Sequence, residues 1–258
     1  MDYRSRINKL ATLAGMRNPV RLVLFSSDTG CPACPAAKEL VQAVKACSSR
    51  IGLETYDMVM DRDKREQYGI KRVPAMVVEG ADGRAVTFYG LVDDILLELF
   101  LDAIKAASVN GAWFPENVSR VLKRLSREVH IQVLAENSCS QCGLVARTAI
   151  GLGFESNLIY TDVVVADDFP DLMKKHAVAG LPRTIFGENQ YLDGHVTESE
   201  FIENIFTAEG LTPAPDRRCL VCGTASPDIV CSSCKLRIQS EALEHKRKGE
   251  RMKQSETP

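Results

Sequence analysis

A single offset of 108 residues lays one part of this chain on another. It superposes Cys31 on Cys139, Cys34 on Cys142, Val73 on Leu181 and Pro74 on Pro182, and it sets YGIKRVP (Tyr68–Pro74) over HAVAGLP (His176–Pro182). Each C-x-x-C therefore precedes its X-Pro by the same 43 positions. A repeat this long is a duplicated domain and not a solenoid unit. In 258 residues it leaves room for two such domains and a short remainder.

Both halves read alike. A β-rich run comes first, Val20–Ser27 and His130–Asn137, with the C-x-x-C directly after it. A helix follows. Ala37, Leu40, Val41 and Val44 form a buried stripe at i, i+3, i+4 and i+7 in the first half. Leu144, Val145, Thr148 and Ala149 form its counterpart, with Gly151 and Gly153 expected to stop the helix. A second strand (Leu53–Val59; Leu158–Val165), a short polar helix (Asp63–Tyr68; Asp171–His176), the X-Pro, a β-hairpin and an amphipathic helix (Asp93–Ala106; Glu198–Ala208) complete each unit. This order predicts an α/β layered fold: a central mixed sheet flanked by helices, in two tandem domains. The predicted boundaries are 1–110 with an N-terminal helical arm (Tyr3–Gly15), 111–210, and a third unit over 211–258 behind a proline-bearing linker (Leu211–Arg218). Trp113, Phe114 and Pro115 read as packing between the halves.

Charged residues are 26% of the chain, hydrophobic residues 45% and the net charge −2, so no global charge calls for nucleic acid or an anionic membrane. The apolar runs are far shorter than the ~20 residues of a membrane helix. Asp2, Arg4, Arg6 and Lys9 interrupt any secretory h-region, which predicts a cytoplasmic protein. Eight of the nine cysteines form four C-x-x-C pairs, a pattern that in that compartment reads as redox chemistry or metal binding.

A C-x-x-C where a helix begins places two sulfurs one turn apart, close enough for a small-ring disulfide. The first sulfur meets unpaired N–H groups and the helix dipole, which stabilise its thiolate. The thiolate attacks and the second cysteine resolves the mixed disulfide. Cys31 and Cys139 are thus the expected nucleophiles, and Cys34 and Cys142 the resolving residues. Pro32 reads as the first helical position of its motif, with Ser140 at the matching place. The competing reading is that the two pairs bind a metal together.

Through CPAC (Cys31–Cys34), CSQC (Cys139–Cys142), Val73-Pro74 and Leu181-Pro182, each half resembles the thioredoxin/glutaredoxin fold. The tandem is similar to the glutaredoxin-like protein disulfide oxidoreductases of thermophilic archaea and bacteria. That resemblance, over about residues 1–210, implies a cis proline facing each disulfide. It also implies that backbone at Val73, Pro74, Leu181 and Pro182 binds an extended substrate chain. It implies protein disulfides as substrates and a flavin-dependent thioredoxin-reductase-like enzyme as electron donor. The chain departs from thioredoxins at the buried Asp six positions before the first cysteine, where Phe25 and Val133 stand, and no Trp is near either motif. Gly90-Leu91-Val92-Asp93 matches the glutathione-binding loop of glutaredoxins only in part. No dinucleotide fingerprint or phosphate loop occurs, so no bound nucleotide is expected.

Cys219, Cys222, Cys231 and Cys234 read as two knuckles closing one tetrahedral site, a zinc ribbon with one structural zinc per chain. So small a unit would take its folding energy from the metal, and it is expected to be separable from the redox halves. Redox-labile zinc, two further redox pairs and iron are the alternatives. Lys246, Arg247, Lys248, Arg251 and Lys253 give the last helix a basic end, read as a solvated surface. Cys47 is expected to be an inert buried thiol, and His130, His176 and His195 show no spacing that suggests a metal site or a Cys–His nucleophile pair. The function expected is a dithiol–disulfide oxidoreductase acting on protein disulfides through both C-x-x-C sites. A module reducing a peroxiredoxin and a zinc-containing redox-sensing adaptor are the rivals.

Overall fold

The first strand, β1 (Val20–Ser26), is almost continuously apolar. Such a run belongs at the centre of a sheet covered on both faces. Leu22 and Leu24 enter one core and Val23 and Phe25 the other, on opposite sides of the sheet. The computed structural model describes residues 3, 6–7, 13, 15–109, 114–188, 190–210 and 218–255, and from residue 245 onward the backbone alone except at Arg247. Most of the expected N-terminal arm and linker, and Trp113, lie outside these described residues.

In the first half β1 leads into α1 (Cys34–Ala46), β2 (Ile51–Asp57), α2 (Arg62–Gln67), β3 (Ala75–Gly80), β4 (Ala85–Tyr89) and α3 (Asp94–Val109). A short helix, α4 (Glu116–Leu122), joins it to the second half. There follow β5 (Val129–Ala135), α5 (Ser140–Glu155), β6 (Ile159–Val165), α6 (Pro170–Lys175), β7 (Arg183–Phe186), β8 (Gln190–Asp193) and α7 (Glu198–Ala208). The eight strands form one sheet in the order β2-β1-β3-β4-β6-β5-β7-β8. Each half contributes four strands in the same internal order, and the halves fuse where β4 pairs in parallel with β6, Val86 with Thr161 through Tyr89 with Val164.

The fused sheet explains one departure from the sequence reading. Helix α5 does not stop at Gly151 and Gly153 but runs through both to Glu155. A Cβ on Gly153 would stand 2.8 Å from Thr161 Oγ1 and 2.9 Å from Val86 Cγ1, so glycine lets the helix lie directly over the β4–β6 seam. Helix α3 packs beside it, joined by Arg147–Asp102 at 2.8 Å. The buried stripe of α1 falls as expected on Ala37, Leu40, Val41 and Val44, all fully buried. In α5 Leu144 is 49% exposed, and Val145, Thr148 and Ala149 carry the packing. Val59, read as the end of a strand, stands in the turn after β2 and is exposed.

The last four cysteines lead into α8 (Ser232–Ser255). This unit is no loose appendage. Helix α8 runs antiparallel along α7, with Lys235 on Glu203 at 2.8 Å and Gln239 Nε2 donating to Ser199 Oγ at 3.4 Å. Arg124 Nη1 donates to Leu220 O at 2.6 Å. Cys219, Ile229, Val230, Cys234 and Ile238 are buried in the same core as α7. Among the described residues, no helix is long and apolar enough to cross a membrane.

Candidate active sites

Both C-x-x-C pairs sit at the C-terminal edge of the sheet, where β1 and β5 end. Cys31 and Cys34 are joined as a disulfide with Cα atoms 5.4 Å apart, and Cys139 and Cys142 likewise at 5.2 Å. In each pair the first cysteine is half-exposed and the second buried. That asymmetry is what an attacking and a resolving sulfur require.

The two helices begin differently. Helix α1 starts at Cys34 with Ala33 as its N-cap, so Pro32 lies in the turn before it and not at its first position. Cys34 N donates to Cys31 O at 3.2 Å, and Ser27 N to Cys34 Sγ at 3.4 Å. Proline has no N–H to give and fixes its own φ, which suits that turn. Helix α5 starts at Ser140, and Cys139 is its N-cap, with Sγ accepting from Cys142 N at 3.1 Å. Cys139 Sγ thus stands at the N-terminus of α5, where N–H groups and the dipole favour negative charge.

The register carries each X-Pro to the same edge. Ala75 pairs with Phe25 near the end of β1, and Arg183 with Leu134 near the end of β5, so Pro74 and Pro182 border the strand ends that lead to Cys31 and Cys139. Val73-Pro74 and Leu181-Pro182 are both cis. Val73 and Leu181 are half-buried, their prolines buried. Gly90 N donates to Pro74 O at 2.9 Å and Gly194 N to Pro182 O at 2.8 Å, which brings the loops after β4 and β8 to the two sites. Phe25 and Val133 are fully buried, and Phe25 packs on Tyr56 and Tyr68. Neither position supplies a proton acceptor behind the disulfide.

The chemistry this permits is reversible dithiol–disulfide exchange. A C-x-x-C at a strand-to-helix junction beside a cis proline, on a sheet of this order, defines a thioredoxin-fold disulfide oxidoreductase. The comparisons agree. A "Probable Thioredoxin" of Methanothermobacter marburgensis is 37% identical over 83 residues, 30% of this chain and 96% of the relative. One from Methanothermobacter thermautotrophicus is 40% identical over 62 residues, 24% of this chain and 72% of the relative. Among solved structures, a protein disulfide oxidoreductase from Aeropyrum pernix superposes with TM-score 0.72 and 25% identity, over 81% of this chain and 93% of its own. The alkylhydroperoxide reductase AhpF of Enterococcus faecalis shares the fold, with TM-score 0.72 and 19% identity over 80% of this chain and 99% of that one. No protein-family model matches. The chain belongs to the thioredoxin family, carries two redox C-x-x-C sites, and is a dithiol–disulfide oxidoreductase.

The remaining four cysteines also converge. Their sulfurs all lie within 4.8 Å of one another, and Cys222 Sγ is 3.7 Å from Cys231 Sγ. A tetrahedron with metal–sulfur bonds of about 2.3 Å has edges of about 3.8 Å, so the donor set fits a metal ion. Cys231 N donates to Cys219 Sγ at 3.3 Å. Gly223, at φ +75°, makes the tight turn after the first pair. Hydrogen bonding to the side chain and backbone of Thr224 pulls the exposed Cys222 down to about 6, while burial pushes Cys234 up.

Of the lesser residues, only Cys47 departs from the sequence reading. Cys47 is half-buried, and its Sγ donates to Ala43 O at 3.2 Å. His130 has a partner, Asp162 Oδ2 at 2.7 Å, which also accepts from Gln132 Nε2 at 3.0 Å. Only the β5–β6 register brings these three together, and no local pattern announces it. Asn137, two residues before Cys139, carries no sequence signal of its own, and it binds the other half of the molecule.

Proposed function

We propose that Cys31 and Cys139 attack disulfides of protein substrates and that Cys34 and Cys142 resolve the mixed disulfides. The burial asymmetry within each pair carries this reading. The thiolate attacks a substrate sulfur, one substrate cysteine leaves as thiolate, and the resolving cysteine closes the enzyme disulfide and releases the second. Backbone at Val73, Pro74, Leu181 and Pro182 binds the extended substrate segment. Residues 1–110 and 111–210 act as two thioredoxin-like domains of a cytoplasmic protein, and 211–258 form the third unit. Electrons come from a flavin-dependent thioredoxin-reductase-like enzyme, and a peroxiredoxin belongs among the substrates to be tried. The four-cysteine centre holds one zinc. Bound there, zinc would cross-link the unit, and with all four positions taken by thiolates it leaves none open for a substrate.

The test is trapping. Cys34→Ser and Cys142→Ser proteins, incubated with insulin, should accumulate mixed disulfides at Cys31 and Cys139 respectively, identified by non-reducing peptide mapping. Cross-links at Cys34 in Cys31→Ser protein, with none in Cys34→Ser protein, would reverse the roles.

A further inference from the structure

The two redox sites are joined by one residue. Asn137 lies on the short loop between β5 and Cys139 and reaches into the first half. Its Oδ1 accepts from Asp93 N at 2.7 Å, and its Nδ2 donates to Leu91 O at 3.1 Å. Its backbone carbonyl accepts from Ile95 N at 3.1 Å. These three bonds fasten the approach to Cys139 onto the loop that follows β4, and the other end of that loop, Gly90, is bonded to Pro74 O at the first site. Contact continues one step beyond the second site: a Cβ on Gly143 would lie 2.5 Å from Ile95 Cγ2, so the first turn of α5 sits against the start of α3.

Among the described residues, the first half has no equivalent. Under the 108-residue offset the place of Asn137 is taken by Thr29, which is exposed; its backbone N donates to Ser27 Oγ at 3.3 Å and its carbonyl accepts from that hydroxyl at 2.9 Å, both within its own loop. The cysteines differ in the same sense. Cys139 caps its helix, whereas Cys31 stands three residues ahead of the helix start. An N-cap stabilises a thiolate only while its sulfur is held against the helix N–H groups, and the chain just before the cap decides that. A half-buried amide with both ends bonded to backbone of another element is suited to fix it.

We propose that Asn137 is the positioning residue of the second site: through it the first half holds Cys139 at the terminus of α5 and keeps its thiol acidic. Asn137 itself touches no reacting atom. The proposal rests on Cys139 being the attacking thiol.

The experiment measures iodoacetamide labelling of each cysteine in fully reduced protein from pH 5 to 9, read by peptide mass spectrometry, with Cys31 as a reference inside the same molecule. In Asn137→Ala, labelling of Cys139 at pH 6 should fall at least about threefold and its profile should move to higher pH, because less of the thiol is ionised. Cys31 should keep its rate. Asn137→Ser, whose short hydroxyl replaces at most one of the two side-chain bonds, should shift Cys139 in the same direction by less. It also carries the test if the alanine protein does not fold. An unchanged Cys139 profile in the folded variants overturns the proposal, as does an equal shift at Cys31, which would mark a general loss of structure. If the unsubstituted protein labels at Cys142 ahead of Cys139, the assignment of the attacking thiol fails instead, and the two failures are told apart.

Discussion

With dithiothreitol as electron source, Cys31→Ser/Cys139→Ser protein should reduce insulin no faster than dithiothreitol alone, while each single substitution should leave a catalysed rate. Serine is not a thiolate at neutral pH and cannot form the mixed disulfide through which exchange proceeds, so each change silences one site. Both first cysteines are half-exposed and both partners buried, so neither buried thiol is placed to take over attack. The substitutions alter one atom at the surface edge of the sheet, and circular dichroism should show the fold unchanged. A catalysed rate in the folded double variant would mean that another cysteine attacks, with the exposed Cys222 the first to examine.

The second large effect concerns stability. A chain ending at Ala208 should unfold at least about 10 °C below the full-length protein, yet keep its reductase activity with dithiothreitol. Ile229, Val230 and Ile238 are fully or almost fully buried beside α7, and fully burying side chains of this size contributes about 1.5–3 kcal/mol each. For a chain of this size each kcal/mol moves the midpoint by about 2–4 °C. The truncated chain would leave the Ser199–Glu203 face of α7 in water. If the four-cysteine centre holds the proposed zinc, chelation or Cys219→Ser should lower the midpoint of the full chain in the same direction, since the four sulfurs would fix the turn that carries Ile229 and Val230. Equal midpoints for the truncated and full chains would restore the independence that the sequence suggested.

That contrast marks where the sequence stopped being informative. The stripe on α1, the strand before each C-x-x-C and the matching place of each X-Pro were legible, because local periodicity and a repeated spacing encode them; that the prolines are cis came from the family resemblance those residues carry. The prolines were the clearest case: an isolated Val-Pro says little, and two at one spacing from two C-x-x-C pairs say a great deal. The fusion of the halves was not legible. It depends on Thr87 meeting Asp162 across β4 and β6, a pairing between segments 75 residues apart. Hence Gly153 read as a helix stop, although its missing side chain serves that seam, and nothing local pairs His130 with Asp162, 2.7 Å away. Asn137 is ordinary in its own segment and gains meaning only from Leu91 and Asp93 in the other half. The linker to the four cysteines, with its two prolines, suggested a detached unit, because nothing local reveals that α8 folds back along α7.

The measurement that bears most directly on a two-centre oxidoreductase is a redox titration of both C-x-x-C pairs by differential alkylation and peptide mass spectrometry across glutathione and dithiothreitol buffers. Two reversible two-electron transitions are expected, one at Cys31/Cys34 and one at Cys139/Cys142. Their midpoints should differ by at least ~30 mV, about 1.4 kcal/mol, with the second pair the more oxidising because Cys139 caps its helix and its reduced thiolate is better stabilised. Coincident midpoints would remove the distinction drawn between the sites. A pair that stays reduced under oxidising buffers, or whose cysteines are protected from alkylation until a chelator is added, would show that it holds a metal, and would contradict the claim that this is a thioredoxin-fold oxidoreductase with two working centres.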